Sequence, residues 1–315
     1  MEDDFGRDIN YLRLSVTDKC NLRCIYCMPE EGVLKRRHED VMTVEEIVEI
    51  VQATAVCGIT KVRVTGGEPL VRRGIIEICE GISAIKNINE LCLTTNGILV
   101  PQFADKLKAA GVNRLNISLD SLDRVTYNEI TKSDALEDAL AGVSAALEAG
   151  FDEIKINAVL IGGVNDREIP ALLELTRNHK VDVRFIELMP IGECASWAAN
   201  RFISTQEVLH VAPELCETGT DGVTKKYMLP GGLGSVGLIS PISSHFCPAC
   251  NRIRITADGM LKPCLHSSEE INLRGLHGTK LVNTIRDAIY SKPRKHGLGG
   301  GESSAAARNM NEIGG

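Results

Sequence analysis

Six of the eleven cysteines in this 315-residue chain fall in two triplets, Cys20-x-x-x-Cys24-x-x-Cys27 and Cys247-x-x-Cys250 followed later by Cys264. Thiolates are soft ligands suited to iron–sulfur clusters or to zinc. A cubane contains four irons, so three cysteines leave one iron with an open position at which a ligand can be bound and reduced. Zinc held by the three thiolates and a distant fourth ligand is the competing reading of the first triplet. For the second, zinc with His266 or His245 competes, because C-x-x-C beside a hairpin is how zinc ribbons are built. Cys57, Cys79, Cys92, Cys194 and Cys216 stand singly and read as small buried residues.

Cations form the second set. In Asn251-Arg252-Ile253-Arg254, strand alternation turns Arg252 and Arg254 to one face. They are either gatekeepers of a solvated edge or binding groups beside the cysteines. Arg13, Lys61, Arg63, Lys155 and Arg184 interrupt runs that otherwise read as core strands. Each is a surface residue at a strand end or an inward cation aimed at an anionic ligand. Thr65-Gly66-Gly67-Glu68-Pro69 is either a tight turn or a stretch of backbone exposed to a ligand.

The elements that must carry these groups follow from periodicity. Short β-rich runs at residues 11–16, 61–65, 91–95, 114–119, 153–160 and 182–188 alternate with segments of helical period. Among the latter, 43–57 opens on the capping box Thr43 and Glu46, and 134–149 is closed by Gly150. Six βα units predict an α/β fold, either a partial (β/α)6 TIM-type barrel or a doubly wound sheet, and the motifs favour the barrel. The first triplet then lies on the loop leaving the C-terminal end of the first strand, where such barrels build active sites. The barrel is expected over residues 1–190. A smaller α+β module over 191–296 contains a hairpin, 253–265, turning at Asp258-Gly259. Residues 297–315, rich in Gly, Ser and Ala, are expected to be a flexible tail.

Composition excludes several classes of function. The net charge of -7 and pI near 5.6 argue against nucleic acid as a partner, so an anionic substrate must meet a local basic pocket. No apolar run approaches the roughly 20 residues of a membrane span, and the acidic opening Met-Glu-Asp-Asp-Phe does not read as a signal peptide. A soluble, cytoplasmic protein is expected.

The stretch Cys20-Asn21-Leu22-Arg23-Cys24-Ile25-Tyr26-Cys27 resembles the signature of the radical S-adenosylmethionine superfamily. The C-x-x-C-x13-C arrangement, the Asn-Arg-x-Arg strand and the terminal Gly314-Gly315 are similar to those of its GTP 3′,8-cyclases, and the likeness runs from Arg13 to Gly315. The resemblance implies a [4Fe-4S] cluster on Cys20, Cys24 and Cys27, whose open iron chelates S-adenosylmethionine. It implies cofactor contacts from Tyr26, Gly67, Glu68, Ser118 and Met189. A second [4Fe-4S] cluster on Cys247, Cys250 and Cys264 would take the guanine of GTP. Arg13, Arg63, Thr94, Lys155, Arg184, Arg252 and Arg254 would hold that substrate, and Lys61 matches less securely. Arg252, Arg254 and the Gly314-Gly315 tail are the implied catalytic residues, although a terminal diglycine by composition is only a frayed end.

The implied activity is a lyase reaction, conversion of GTP to a 3′,8-cyclised dihydro product at the first step of molybdenum cofactor biosynthesis. Implied partners are a low-potential electron donor and a cyclic pyranopterin monophosphate synthase downstream, with a homodimer also compatible. Two alternatives remain at this stage: a peptide-modifying radical enzyme with an auxiliary cluster, and a noncatalytic, zinc-stapled nucleotide-binding scaffold.

Overall fold

The computed structural model describes residues 1–33, 37–244, 246–296 and 304–314. His245, Gly315 and residues 297–303 of the expected tail lie outside the described residues. The first half alternates as the periodicity predicts: β1 (Tyr11–Ser15), α1 (Val44–Val56), β2 (Lys61–Thr65), α2 (Ile75–Ser83), β3 (Glu90–Thr95), α3 (Val100–Ala109) and β4 (Arg114–Ser118). It continues with α4 (Arg124–Thr131), α5 (Leu136–Glu148), β5 (Glu153–Leu160), α6 (Ile169–Asn178) and β6 (Asp182–Glu187). Helix α1 begins at the expected capping box, with the Glu46 amide donating to Thr43 Oγ1 and the Thr43 amide to Glu46 Oε2. Gly150 takes the left-handed φ of +69° that lets the chain turn after α5.

Beyond β6 come α7 (Gln206–Val211), β7 (Cys216–Asp221), β8 (Thr224–Met228), β9 (Ser235–Ile239), β10 (Arg252–Ile255), β11 (Met260–Lys262), β12 (Ile271–Asn272), α8 (Gly278–Tyr290) and α9 (Met310–Ile313). These strands do not form a separate sheet. Among the described residues all twelve join one sheet in the order β12-β11-β10-β1-β2-β3-β4-β5-β6-β9-β8-β7. Strand β10 pairs parallel with β1, and β9 parallel with β6. The partial barrel thus gains a parallel strand at each edge from its C-terminal part, and one hydrophobic cluster spans both parts. The predicted hairpin is β10–β11, with Gly259 at φ +80°.

The pleat sorts side chains by chemistry. Leu12, Leu14, Val62, Val64, Leu91, Leu93, Leu115 and Ile117 share the main hydrophobic cluster with Ile47, Ile78, Leu107 and Val143 of the helices. The opposite face carries Arg13, Thr65, Thr94, Ser118, Asn157, Arg252 and Arg254, all of which border one cavity. A TIM-type barrel normally fills its interior with branched apolar residues. This one leaves a cavity in which those polar side chains stand among apolar ones such as Leu22, Ile186 and Ile239.

Candidate active site

The loop after β1 carries the first cysteine triplet and is fixed by backbone contacts that require glycine. The Gly67 amide donates to Thr17 O at 2.7 Å and the Glu68 amide to Lys19 O at 2.8 Å. A Cβ on Gly66 would stand 2.4 Å from Thr17 O, and one on Gly67 2.4 Å from Lys19 O. Gly66-Gly67 therefore lets the loops after β1 and β2 run backbone against backbone. Side chains from the next strand ends complete the mount. Asn96 Nδ2 donates to Asn21 Oδ1 at 2.7 Å, and Tyr26 Oη to Asp120 Oδ2 at 2.7 Å, while Asp120 Oδ1 accepts from the Val159 amide. Neither Asn96 nor Asp120 is singled out in the sequence reading. Their position just beyond β3 and β4 was the available signal.

The second triplet lies at the other end of β1. Cys247 and Cys250 sit on a turn closed by the Cys250 amide donating to Cys247 O, just before β10, and Cys264 follows β11. Because Tyr11 pairs with Arg252 in parallel register, these thiols stand at the N-terminal end of β1, one strand length (about 13 Å) from the C-terminal end that bears the first triplet. All six thiols border the same cavity, with Arg13, Arg252 and Arg254 between them.

The electrostatics of the two triplets differ. Burial pushes the Cys20 thiol up to about 11. Cys24 is raised well up by burial and then by Cys27, and Cys27 is raised by burial and then by Cys20. Thiols that oppose one another's ionisation become thiolates by sharing a cation. At Cys250 burial acts upward, but Arg252 and Lys292 outweigh it and bring the thiol down to about 6. Among the described residues, the group of His, Cys, Asp or Glu whose ligand atoms fall within 4.8 Å of one another is Glu153, Asp182 and Asp221. Neither cysteine triplet converges that closely, whereas thiolates 2.3 Å from one tetrahedral zinc would lie about 3.8 Å apart. The acidic trio itself surrounds Lys155 Nζ, which is 2.9 Å from Asp221, 3.1 Å from Glu153 and 3.9 Å from Asp182.

Three buried polar atoms of residues lining the lumen have no hydrogen-bond partner: Arg13 Nε, Thr94 Oγ1 and Asn157 Oδ1. Buried polar groups are almost always satisfied, so this set is what a polar guest would complete. Tyr26, Gly67, Ser118 and Met189 border the cavity. Glu68 does not. Its carboxylate accepts from the Leu70 amide, the Asn96 amide and Thr95 Oγ1, and burial holds it up at about 7. Arg63 is buried beside the Tyr11 ring, outside the cavity lining. Lys155 and Arg184 are also off the lining and both are paired with Asp221, on the β7–β8 turn. Burial, then Arg184, brings the Lys155 ammonium down to about 7. Lys61 is paired with Glu90.

The described part of the tail, 304–314, is not a loose end, which corrects the reading from composition. Arg308 bridges Asp258 and Glu270, and the Asn309 side chain and Glu312 form a capping box at α9. Asn311 Nδ2 donates to Asp18 O, and Arg254 Nη1 to Gly314 O. Met310 borders the cavity, and Ile313 is buried against Ile191 and Ala306. Gly314 reaches the ends of β1 and β2, where a Cβ would stand 2.6 Å from Thr65 Cγ2. Cys57, Cys79, Cys92 and Cys194 are buried as expected, whereas Cys216 is exposed on β7.

A lumen entered by a three-cysteine loop at the strand ends is the architecture of a radical enzyme, and the radical SAM superfamily model matches residues 14–176. The model for Molybdenum Cofactor Synthesis C matches residues 181–298. Over its full length and theirs, the chain is 50% identical to a GTP 3′,8-cyclase of Alkaliphilus oremlandii and 49% identical to one of Alkaliphilus metalliredigens. The chain belongs to the GTP 3′,8-cyclase family of radical SAM proteins. Among solved structures it resembles Streptococcus suis SuiB bound to S-adenosylmethionine (TM-score 0.62, 15% identity, 89% of this chain and 68% of that one). Methylornithine synthase PylB gives a TM-score of 0.53 at 16% identity, over 66% of this chain and 63% of that one. At these identities the likeness concerns the fold alone. No helix among the described residues is long and apolar enough to cross a membrane.

Proposed function

We propose that this chain is a lyase that converts GTP to (8S)-3′,8-cyclo-7,8-dihydroguanosine 5′-triphosphate, opening molybdenum cofactor biosynthesis in the cytoplasm. The observation that carries the reading is the convergence of both thiol triplets, Arg13, Arg252 and Arg254 on one cavity. Cys20, Cys24 and Cys27 would hold a [4Fe-4S] cluster that, with S-adenosylmethionine bound, would supply a 5′-deoxyadenosyl radical. The chain's own residues do the positioning. Tyr26, Gly67, Ser118 and Met189 contact the cofactor, and Glu68 acts by holding Thr95 and Asn96 in place beneath it. Cys247, Cys250 and Cys264 would hold a second [4Fe-4S] cluster, which would supply an open position for the guanine.

Arg13, Arg252 and Arg254 draw the nucleotide into a lumen where charge pairs are little screened. Arg63 and Thr94 support the same nucleotide, and Lys155 and Arg184 meet its triphosphate once Asp221 yields them. Gly314, whose carbonyl accepts from Arg254 Nη1, stands at the ends of β1 and β2, and the Gly314-Gly315 pair takes part in the radical step. A low-potential donor supplies electrons, a cyclic pyranopterin monophosphate synthase receives the product, and a homodimer is compatible with the fold.

The decisive experiment is anaerobic incubation with S-adenosylmethionine, reductant and GTP, with mass-spectrometric identification of the product. The cyclised dihydro nucleotide together with GTP-dependent 5′-deoxyadenosine supports the reading. Cofactor cleavage without any change to GTP points to a peptide substrate instead, and zinc in place of iron and sulfide points to a scaffold.

A further inference from the structure

A buried arginine stands just behind the second triplet, outside the cavity lining. Arg7 precedes β1 and is 8% exposed, yet all five of its guanidinium N–H groups are engaged. Nε donates to Asp3 Oδ2 at 2.6 Å. Nη1 donates to Cys247 O at 3.1 Å and Arg294 O at 3.2 Å, and Nη2 to Lys292 O at 3.1 Å and Pro293 O at 2.9 Å. Asp3 is itself buried, and its Oδ1 accepts from the Arg7 and Phe5 amides, which fixes the direction of the fork.

Those carbonyls lead to each thiol of the second triplet. Cys247 O also accepts from the Cys250 amide, so its orientation sets both cysteines of the C-x-x-C turn. Lys292, held through its carbonyl, donates from Nζ to Pro263 O, the residue before Cys264. We infer that Arg7 is the positioning residue of the second cluster, gathering three thiols from two distant segments into one ligand set. The inference rests on the proposal that this triplet binds a cluster. A planar fork with five donors is needed, because a lysine offers three donors at one point and leaves carbonyls unpaired.

The test compares anaerobically reconstituted wild type with the R7K and R7Q variants by iron and sulfide content and electron paramagnetic resonance, alongside a C250A control. Wild type should hold roughly eight irons per chain, and both Arg7 variants about half that, like C250A. The remaining signal should be that of the first centre, still changed by adding S-adenosylmethionine. Wild-type iron content in R7K and R7Q would overturn the inference. So would loss of both centres together or failure to fold, because Arg7 would then be a general structural residue. If wild type itself holds only about four irons, the second-cluster reading fails first, and the variants are not what decides it.

Discussion

At the scale of single residues, the thiols and one carboxylate make separable predictions. The proposed function makes Cys24 a ligand of the first cluster alone, so Cys24→Ala should abolish 5′-deoxyadenosine release while retaining about half the iron, that of the proposed second centre. Glu68 makes its case through pH. Burial raises its carboxyl from 4.5 to about 7, so the folded chain holds that proton more tightly than the unfolded chain. The stability it contributes is complete below 4.5 and is lost as the pH rises through about 7. Glu68→Gln should flatten that decline, and urea midpoints of the metal-free protein measured from pH 4.5 to 7.5 (about three decades of proton activity) would show it. An unchanged slope would mean that the carboxylate stays ionised in its three hydrogen bonds.

At the scale of elements, the loops after β1 and β2 and the α9 segment meet at one point, the ends of the first two strands. Gly314 has φ +82° and its missing Cβ leaves room for Thr65 and Ser15. An alanine there meets both a backbone cost of about 1–2 kcal/mol and a steric clash. Gly314→Ala should therefore lower GTP turnover about tenfold or more while iron content stays at the wild-type level. Turnover equal to wild type would show that the segment's depth in the mouth is irrelevant to the reaction. The arrangement of Arg308 between Asp258 and Glu270 explains why the segment enters here: its anchor lies on the β10–β11 turn and beside β12.

At the scale of the whole molecule, charge pairs outside the cavity lining tie β6 to the β7–β8 hairpin. Arg184 of β6 reaches Asp182 and, across to the β7–β8 turn, Asp221 and Thr224. Gly237 of β9 makes room, since a Cβ there would fall 2.9 Å from Arg184 Cγ. Arg184→Leu would leave the buried Asp182 with a weakened partner set and should destabilise the fold by about 3–5 kcal/mol. Chemical denaturation would read this directly, and a loss well under 1 kcal/mol would indicate that Lys155 compensates alone.

The six βα units, the α1 capping box, the Asp258-Gly259 turn and the two triplets were legible because each depends on local chemistry: period, turn residues and ligand spacing. The same holds for Arg252 and Arg254, whose shared face follows from strand alternation. What only the tertiary structure decided is which distant pieces share a cavity. The parallel pairing of β10 with β1 sets the triplets at opposite ends of one strand, and no local pattern encodes that register. The pairing of Lys155 and Arg184 with Asp221, the turning of Glu68 away from the lumen and the docking of 304–314 depend on contacts between residues tens to hundreds of positions apart. Sequence specifies such contacts only through the packed whole, because their energies exist only once the chain has closed the loops between them.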